Sequence, residues 1–201
     1  MAHRRYQPKD HFFRKAKQEG LRARSAFKID EIARRFSLFS KGQTVLDLGA
    51  APGGFLQIIA DAVGPKGFVV GVDLVPIAPL GRPNVKTLTL DVHAEELEAK
   101  VNELHPGLFD VVVSDLAPKT TGIHSTDEAR SLALAGLALA FAERRMRPGG
   151  HFVAKLFMGG DFGHFRDAVK NAFTEVKVVR PEATRGASME VYLVGLKMKP
   201  R

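Results

Sequence analysis

Short apolar segments that alternate with amphipathic segments of helical spacing indicate a β-α-β order along most of the chain. Strands are expected at residues 44–48, 68–72, 85–90, 109–114 and 152–157, and helices at residues 55–63, 94–104, 126–146 and 161–173. Uninterrupted apolar runs, as at residues 111–113, are typical of parallel strands that are covered on both faces. The pattern therefore predicts an α/β fold built on a mostly parallel sheet.

The two ends of the chain depart from this alternation. Ser25 precedes an apolar helical stripe over residues 26–36 and is the expected N-cap of that helix. Residues 176–179 and 189–196 are expected to form a hairpin, which brings the sheet to seven strands with an antiparallel C-terminal strand. The Arg-Pro-Gly-Gly sequence at residues 147–150 is expected to end the third helix before the next strand begins.

The first predicted strand leads into a glycine-rich loop, Gly49 to Gly54, of the kind that holds nucleotide-like cofactors in doubly wound sheets. A dinucleotide site favours Gly-x-Gly-x-x-Gly, but Ala51 occupies the second glycine position. The carboxylate of Asp47 would repel a pyrophosphate and could take the amino group of a zwitterionic ligand through water or backbone. This favours S-adenosylmethionine, and a turn that only packs the helix on the strand is the remaining alternative.

Three acidic residues, Asp73, Asp91 and Asp115, end successive predicted strands. The carboxyl ends of parallel strands form the edge where ligands bind in open α/β sheets. We expect Asp73 to accept hydrogen bonds from both hydroxyls of a ribose, and Asp91 to accept one from an adenine amino group. Each residue taken singly could instead cap a helix or form a turn.

Three charged residues lie within apolar segments, where a charge needs a partner or a function. Lys155 lies in the strand at residues 152–157, Glu190 in the last strand, and Lys28 on the apolar-striped helix. Opposite charges that meet at one strand edge would neutralise one another. A lysine close to a second cation has its neutral form favoured, and a neutral lysine is a usable base.

The composition excludes several classes of protein. A chain of 201 residues with 45% hydrophobic residues is expected to be one globular domain. It has no cysteine, so a disulfide framework and a thiolate metal site are excluded. The charged N-terminus is unlike a secretory signal, and the longest apolar run, residues 132–142, is too short to span a bilayer. We expect a cytoplasmic protein that contacts no membrane and binds no metal.

Most of the net positive charge lies near the N-terminus. Residues 1–35 contain eleven Lys and Arg residues against four acidic residues, so they carry all but one of the eight net positive charges. Such a segment is typical of a polyphosphate contact, although a solvated tail is the alternative. We treat residues 1–24 as a basic contact segment that precedes a domain over residues 25–201. Within it, Tyr6, Phe12 and Phe13 could stack on bases or pin the segment to the core.

Several motifs together resemble the FtsJ-like family of RNA ribose 2′-O-methyltransferases, and the resemblance covers nearly the whole chain from about Ser25 onward. The matching sequences are SAFK at residues 25–28, DLGAAPGG at 47–54, SDLAP at 114–118, KLF at 155–157 and the stretch from Arg180-Pro181 to Arg185, together with Gly122, Asp127, Ser188, Glu190 and Tyr192. The resemblance implies a Rossmann-like, S-adenosylmethionine-dependent methyltransferase fold.

The resemblance also assigns roles to individual residues. It places a catalytic Lys-Asp-Lys-Glu tetrad at Lys28, Asp115, Lys155 and Glu190, with Lys155 as the residue that accepts the proton. By the same resemblance, a methyl-donor pocket is lined by Gly53, Phe55, Asp73, Asp91 and Asp115. With the loop residues considered above, the candidate donor-binding set is Asp47, Gly49, Gly53, Gly54, Phe55, Asp73, Asp91 and Asp115.

Three residues depart from the usual family pattern, and none belongs to the tetrad. Phe55 stands where the bacterial members usually have Trp, which keeps an aromatic face. Lys119 replaces the usual Asn after Ala-Pro, and Thr184 replaces Ser before Arg185. The last two residues are expected near the catalytic face and bear on the choice of RNA.

The resemblance implies methyl transfer from S-adenosylmethionine to a ribose 2′-hydroxyl, most directly that of a uridine in large-subunit (23S) ribosomal RNA, on an assembled particle or on free RNA. One alternative is a tRNA 2′-O-methyltransferase of the same fold. A second is a non-catalytic RNA-binding factor of ribosome assembly, and a third, weaker one is an NAD-dependent oxidoreductase. The sequence does not report the oligomeric state, and a monomer is expected.

Overall fold

A computed structural model of the chain describes residues 11–186 and 188–200. Two helices, α1 (His11–Gln18) and α2 (Ala26–Phe36), precede the first strand. The other elements, in chain order, are β1 (Thr44–Leu48), α3 (Gly54–Val63), β2 (Phe68–Asp73), β3 (Val85–Thr89), α4 (Leu97–Leu104), β4 (Phe109–Ser114), α5 (His124–Arg145), β5 (Met146–Phe157), α6 (Phe162–Ala172), β6 (Phe173–Val179) and β7 (Glu190–Met198).

The described residues form one sheet of seven strands in the order β3-β2-β1-β4-β5-β7-β6. The pairings among β1, β2, β3, β4 and β5 are parallel. Strand β7 runs antiparallel to both of its neighbours, β5 and β6. This confirms the predicted sheet, mostly parallel with an antiparallel C-terminal strand.

Helices cover both faces of the sheet. Helices α2 and α3 pack on one face, where Val111 and Val113 of β4 are fully buried. Helices α4, α5 and α6 pack on the other face, where Val112 is fully buried. Because side chains alternate along a strand, a run of apolar residues places one side chain after another into two separate cores.

The start of α2 differs from the prediction at Ser25. Ser25 stands at the N-cap position, but its backbone is already helical, with φ −60° and ψ −23°, and its hydroxyl makes no capping hydrogen bond within the described part of the chain. A turn precedes the helix, and in it the N–H of Ala26 donates to the carbonyl oxygen of Ala23 at 3.1 Å. Ser25 therefore holds the expected N-cap position but does not cap the helix through its side chain, because the helical path begins before it.

The Arg-Pro-Gly-Gly sequence does not form a loop between α5 and β5. Helix α5 ends at Arg145, and β5 begins at the next residue. Phe109 lies opposite Met146 in the sheet and Val111 lies opposite His151, so β5 accommodates three extra residues at this point. Gly149 has a φ of +83°, and a Cβ on Gly150 would lie 2.6 Å from the carbonyl oxygen of Asp110. The two glycines thus permit an irregular strand start.

Candidate active site

Two lysines singled out from the sequence, and a tyrosine beside them, lie on the face of the sheet covered by α2 and α3. Lys155 comes two residues after Val153, and Tyr192 two residues before Val194, and both valines are buried in that core. Side chains two residues apart share a face of a strand. Lys28 belongs to α2 itself and is buried. The fold therefore brings these residues together beside the carboxyl end of β4.

Lys155 is anchored to Asp115, the residue that follows β4. Its ammonium donates to the backbone carbonyl oxygen of Asp115 at 2.6 Å and forms an ion pair with Oδ1 at 3.1 Å. The Lys155 side chain is only 7% exposed. A buried ammonium needs such partners, and they fix its position at the end of the strand.

Tyr192 supports the same carboxylate from the neighbouring strand. It lies directly opposite Lys155 in the β5–β7 pairing, and its hydroxyl donates to Oδ1 of Asp115 at 2.6 Å. Burial, and then the nearby carboxylates of Asp115 and Glu190, raise the pKa of Tyr192 well above its usual range. The hydroxyl therefore stays protonated and acts as a donor. Tyr192 was not among the predicted site residues, although its position two residues after Glu190 puts it on the same face of β7.

Lys28 and Glu190 form the second ion pair of the site. The two side chains, from α2 and β7, are 10% and 13% exposed, and the ammonium donates to Oε1 of Glu190. The ammonium of Lys28 also lies 5.8 Å from the centre of the Tyr192 ring. The predicted tetrad is thus assembled in space as two ion pairs, with Tyr192 in contact with both.

A cleft of about 710 Å³ opens beside the first ion pair, at the carboxyl edge of the sheet. This volume is in the range of small-molecule and cofactor sites. Four of the candidate donor-binding residues, Gly49, Asp73, Asp91 and Asp115, line the cleft, and Lys155 lines it as well. The other lining residues are Ala51, Leu74, Val92, His93, Leu116, Ala117, Pro118, Lys119, Arg130, Ala133 and Leu134.

The two acids at one end of the cleft have different partners. Asp73 accepts the N–H of Ala51 at 2.8 Å and the N–H of Val75 at 2.9 Å. Its carboxylate thereby joins the glycine-rich loop to the segment after β2. Asp91 accepts the N–H of His93 at 2.9 Å and contacts the ring Nδ1 of the same residue at 2.8 Å. These hydrogen bonds lower the pKa of Asp91, which remains an ionised acceptor.

Asp47 lies behind the cleft, in β1. It is fully buried, and neither of its carboxylate oxygens has a hydrogen-bond partner among the described residues. Burial, together with the nearby carboxylates of Asp115 and Asp73, raises the pKa of Asp47 well above its usual range. A buried carboxyl group without a partner is costly, and such groups cluster at functional sites.

The structure does not place Gly53, Gly54 or Phe55 on the cleft wall. Gly53 has a φ of +105°, a conformation that side chains rarely adopt. A Cβ on Gly54 would lie 3.1 Å from the Cβ of Ala23. Phe55 is 3% exposed and packs in the core between α3 and the sheet. These three residues pack behind the glycine-rich loop. A direct contact between any of them and a methyl donor stays a prediction.

The N-terminal helix packs against α2. The ring of Phe12 lies 5.8 Å from that of Phe27, and the ammonium of Lys15 lies 4.7 Å from the centre of the Phe27 ring. Phe12 therefore helps to hold the basic segment against the rest of the protein, whereas Phe13 is 46% exposed. Tyr6 lies outside the described residues.

The two residues that depart from the family pattern near the catalytic face have different settings. Lys119 is exposed and lines the cleft. The hydroxyl of Thr184 is shielded and has no hydrogen-bond partner in residues 11–186 and 188–200.

The part of the chain that the structure describes contains neither a candidate metal site nor a candidate membrane-spanning helix. No group of three or more His, Cys, Asp or Glu side chains is arranged to hold a metal ion there. No helix in the same ranges is long and apolar enough to cross a membrane.

Comparison with known proteins agrees with this architecture. The sequence profile described as FtsJ-like methyltransferase matches residues 21–198. A protein of Myxococcus xanthus (strain DK1622) named ribosomal RNA large subunit methyltransferase E is 67% identical over 194 residues, which is 96% of this chain and 91% of that protein. A protein of the same name from Bdellovibrio bacteriovorus is 48% identical and covers 96% of this chain and 99% of its own length.

Among solved structures, a crystal structure from Plasmodium falciparum described as a ribosomal RNA methyltransferase superposes with a TM-score of 0.79. The two sequences are 24% identical, and the match covers 90% of this chain and 100% of the other. At this identity the likeness concerns the fold. The profile match and the close relatives decide the family: the chain belongs to the FtsJ-like methyltransferases.

Proposed function

We propose that the protein transfers a methyl group from S-adenosylmethionine to a ribose 2′-hydroxyl of RNA. The observation that carries this proposal is the position of the two ion pairs between two cavities. Lys155 and Asp115 line the cleft of about 710 Å³. Lys28 and Glu190 line a second cavity of about 370 Å³, which Arg24, Arg185 and Ser188 complete. The first cavity has a carboxylate at the end of each of three strands, together with the basic side chains of Lys119, Arg130 and Lys155, so it offers acceptors for the hydroxyl and amino groups of a donor. The second cavity has three basic side chains and one acid, which suits a polyanionic acceptor.

The cleft fits the proposed donor at several points. S-adenosylmethionine carries an electrophilic methyl group on a positively charged sulfur. Asp73 has unused acceptor capacity for ribose hydroxyls, and the ionised Asp91 can accept from an adenine amino group. The unpartnered carboxyl group of Asp47 supplies an acceptor toward the donor's ammonium, through water or backbone.

The ion pairs would align and activate the acceptor hydroxyl. Lys155, held by Asp115 and indirectly by Tyr192, would polarise the hydroxyl as the ammonium, or accept its proton when it enters the step as the neutral amine. Lys28 and Glu190 would hold the ribose. The 2′-oxygen then bonds to the methyl carbon as the carbon–sulfur bond breaks, and the positive charge on sulfur is discharged. Much of the rate enhancement would come from positioning.

The proposed RNA is large-subunit ribosomal RNA, with a uridine as the target nucleotide, and the proposed location is the cytoplasm. The names of the close relatives support this choice, because each is called ribosomal RNA large subunit methyltransferase E. The basic N-terminal segment would contact phosphates, so RNA affinity should fall steeply with salt. Only RNA offers a 2′-hydroxyl.

The test is transfer of labelled methyl from S-adenosylmethionine to ribosomal particles and to tRNA from cells that lack this protein, followed by mapping of the modified nucleoside. We expect 2′-O-methyluridine in large-subunit RNA, with the label lost in Lys155→Ala. Label only in tRNA would keep the chemistry and overturn the target. No label in either RNA, with RNA binding intact, would favour the non-catalytic RNA-binding factor.

A further inference from the structure

The guanidinium of Arg22, in the basic segment before α2, donates hydrogen bonds to backbone carbonyl groups, and it forms no ion pair with an acid among the residues that the structure describes. Its Nη1 donates to the carbonyl oxygens of Pro52 at 3.2 Å and of Ala78 at 2.5 Å. Its Nη2 donates to the carbonyl oxygen of Pro79 at 2.7 Å. One guanidinium therefore joins the glycine-rich loop to the segment that follows β2.

These two loops flank the cleft. Ala51, the residue before Pro52, lines the cleft, and so does Leu74, which follows Asp73 at the end of β2. On the inner side, Asp73 already ties the loops through the N–H groups of Ala51 and Val75. Arg22 ties them again on the outer side, through their carbonyl groups.

Two further contacts hold Arg22 in place. The side chain of Gln57, in α3, accepts the backbone N–H of Arg22 at 2.8 Å and donates to the carbonyl oxygen of Gly20 at 3.0 Å. Arg22 also packs on Gly53, where an added Cβ would lie 3.0 Å from Nη1. The backbone and the guanidinium are thus fixed independently.

We propose that Arg22 is a positioning residue for methyl-donor binding, and that it couples the basic segment to the donor cleft. The inference rests on the proposed function, because it takes the cleft as the donor site. A guanidinium presents five N–H donors in a fixed fork. Arg22 directs three hydrogen bonds from the two ends of this fork to backbone carbonyls, so it acts as a clamp on the loops. It is not one of the phosphate contacts of the segment.

Coupling of this kind is reciprocal, since any effect of the segment on donor affinity implies an equal effect of the donor on the segment. S-adenosylhomocysteine, the reaction product, should therefore slow amide hydrogen exchange at Arg22 as well as at the loop. In the free protein, Arg22→Ala should speed exchange at Gly53, whose N–H donates to the carbonyl oxygen of Ala50 at 2.7 Å.

The experiment compares Arg22→Ala, Arg22→Lys and Arg14→Ala with the wild-type chain. Arg14 is an exposed arginine of the same segment for which no hydrogen bond or ion pair is found among the described residues, so it is a matched control. S-adenosylhomocysteine affinity is measured by calorimetry, and RNA affinity at several salt concentrations. Both Arg22 variants should bind S-adenosylhomocysteine about tenfold more weakly, because lysine keeps the charge but not the fork.

The control variant should change RNA binding and leave donor binding nearly unchanged. Arg14→Ala should leave S-adenosylhomocysteine affinity within twofold and reduce the salt slope of RNA binding by about one. Unchanged donor affinity in Arg22→Ala, or a loss confined to RNA affinity and its salt slope, would overturn the clamp.

Hydrogen exchange separates this inference from the proposed function. If the wild-type chain does not bind S-adenosylhomocysteine, the proposed function fails. In that case, faster hydrogen exchange at Gly53 in Arg22→Ala would still show that Arg22 orders the glycine-rich loop. Unchanged exchange would refute the ordering role of Arg22 in addition to the proposed function.

Discussion

The ammonium of Lys155 contacts Asp115 at two points, 2.6 Å from its backbone carbonyl oxygen and 3.1 Å from its carboxylate Oδ1. The carbonyl contact does not depend on the side chain at residue 115. The lysine is therefore placed by the path of the backbone after β4, and the carboxylate adds charge and orientation.

Lys155→Met should abolish most methyl transfer while it preserves the donor site. Methionine keeps an apolar stem of similar length but has no group that accepts a proton, and general base catalysis typically contributes about 10² to 10⁴ in rate. We expect a loss of that size in single-turnover methylation and a change below about threefold in S-adenosylhomocysteine affinity. Lys66→Met, at an exposed lysine, is the control. Equal losses in both variants would rule out a specific role for Lys155.

Tyr192→Phe removes one donor to Asp115 and leaves the ring in place. Among the described residues, Oδ1 then keeps only the Lys155 contact, so the carboxylate should be less well oriented. We expect kcat to fall by about tenfold with the KM for the donor nearly unchanged, because Tyr192 does not line the cleft. Loss of a hydrogen bond to a charged group costs about 1.5–3 kcal/mol. A raised KM with an unchanged kcat would contradict this assignment.

Asp47→Asn should stabilise the protein without its donor and weaken donor binding. In the unfolded chain the carboxyl group titrates near its usual pKa of about 3.9, whereas burial raises its pKa in the folded protein. Between these two pKa values the folded state binds the proton more tightly, so stability declines as the pH rises through that window. Asparagine does not titrate and avoids this loss.

Thermal unfolding of the two proteins between pH 4 and pH 8 checks the sign of this effect. A gain of about 1 kcal/mol would raise the Tm by roughly 2–4 °C in a domain of this size. The advantage of Asp47→Asn should be largest at pH 8 and should shrink toward pH 4. An advantage that grows as the pH falls would contradict the raised pKa.

The Lys28–Glu190 pair should show strong coupling in a double-mutant cycle. Removal of one partner of a buried ion pair leaves an uncompensated charge and costs about 3–5 kcal/mol when burial is complete. We expect Lys28→Met and Glu190→Gln each to lower the free energy of unfolding by roughly 2–4 kcal/mol, since both side chains are slightly exposed. The double variant should recover much of that loss.

The exposed pair Arg34–Asp30 provides the comparison for this cycle. It is an i,i+4 pair on the same helix as Lys28, and the Arg34 side chain is 75% exposed. Its coupling should be about 0.5 kcal/mol or less. Chemical denaturation of all variants gives both values, and similar couplings in the two pairs would mean that burial does not strengthen the Lys28–Glu190 contact.

The fold was largely predictable because the signals that specify it are local. The apolar run at residues 111–113 indicates a strand covered on both faces, and the structure buries it in two cores. The errors also have local causes. Ser25 has the chemistry of an N-cap, but an earlier turn already supplies the helical path. Residues 147–150 have the chemistry of a loop, but the glycines serve an irregular strand that the pairing with β4 imposes.

The site was less predictable from the chain alone, because its contacts join distant residues. Lys28 and Glu190 are 162 positions apart. Their occurrence in apolar segments indicated that each needed a partner, but only the family resemblance grouped them in one site. Tyr192 matched the family pattern without an assigned role, and its part in the site is visible only from the hydrogen bond that its hydroxyl donates to Asp115. Arg22 gave no signal of its own, since it is one of many basic residues in its segment, and only the three carbonyl contacts distinguish it.

The place of β7 in the sheet has a consequence for synthesis of the protein. It is the last strand in chain order, yet it lies between β5 and β6 and carries Glu190 and Tyr192. A nascent chain that still holds this strand inside the ribosome can fold its N-terminal strands, but it lacks the partners of Lys28 and Asp115. On the proposed mechanism, methyl transfer would therefore begin only once β7 has left the exit tunnel and completed the site.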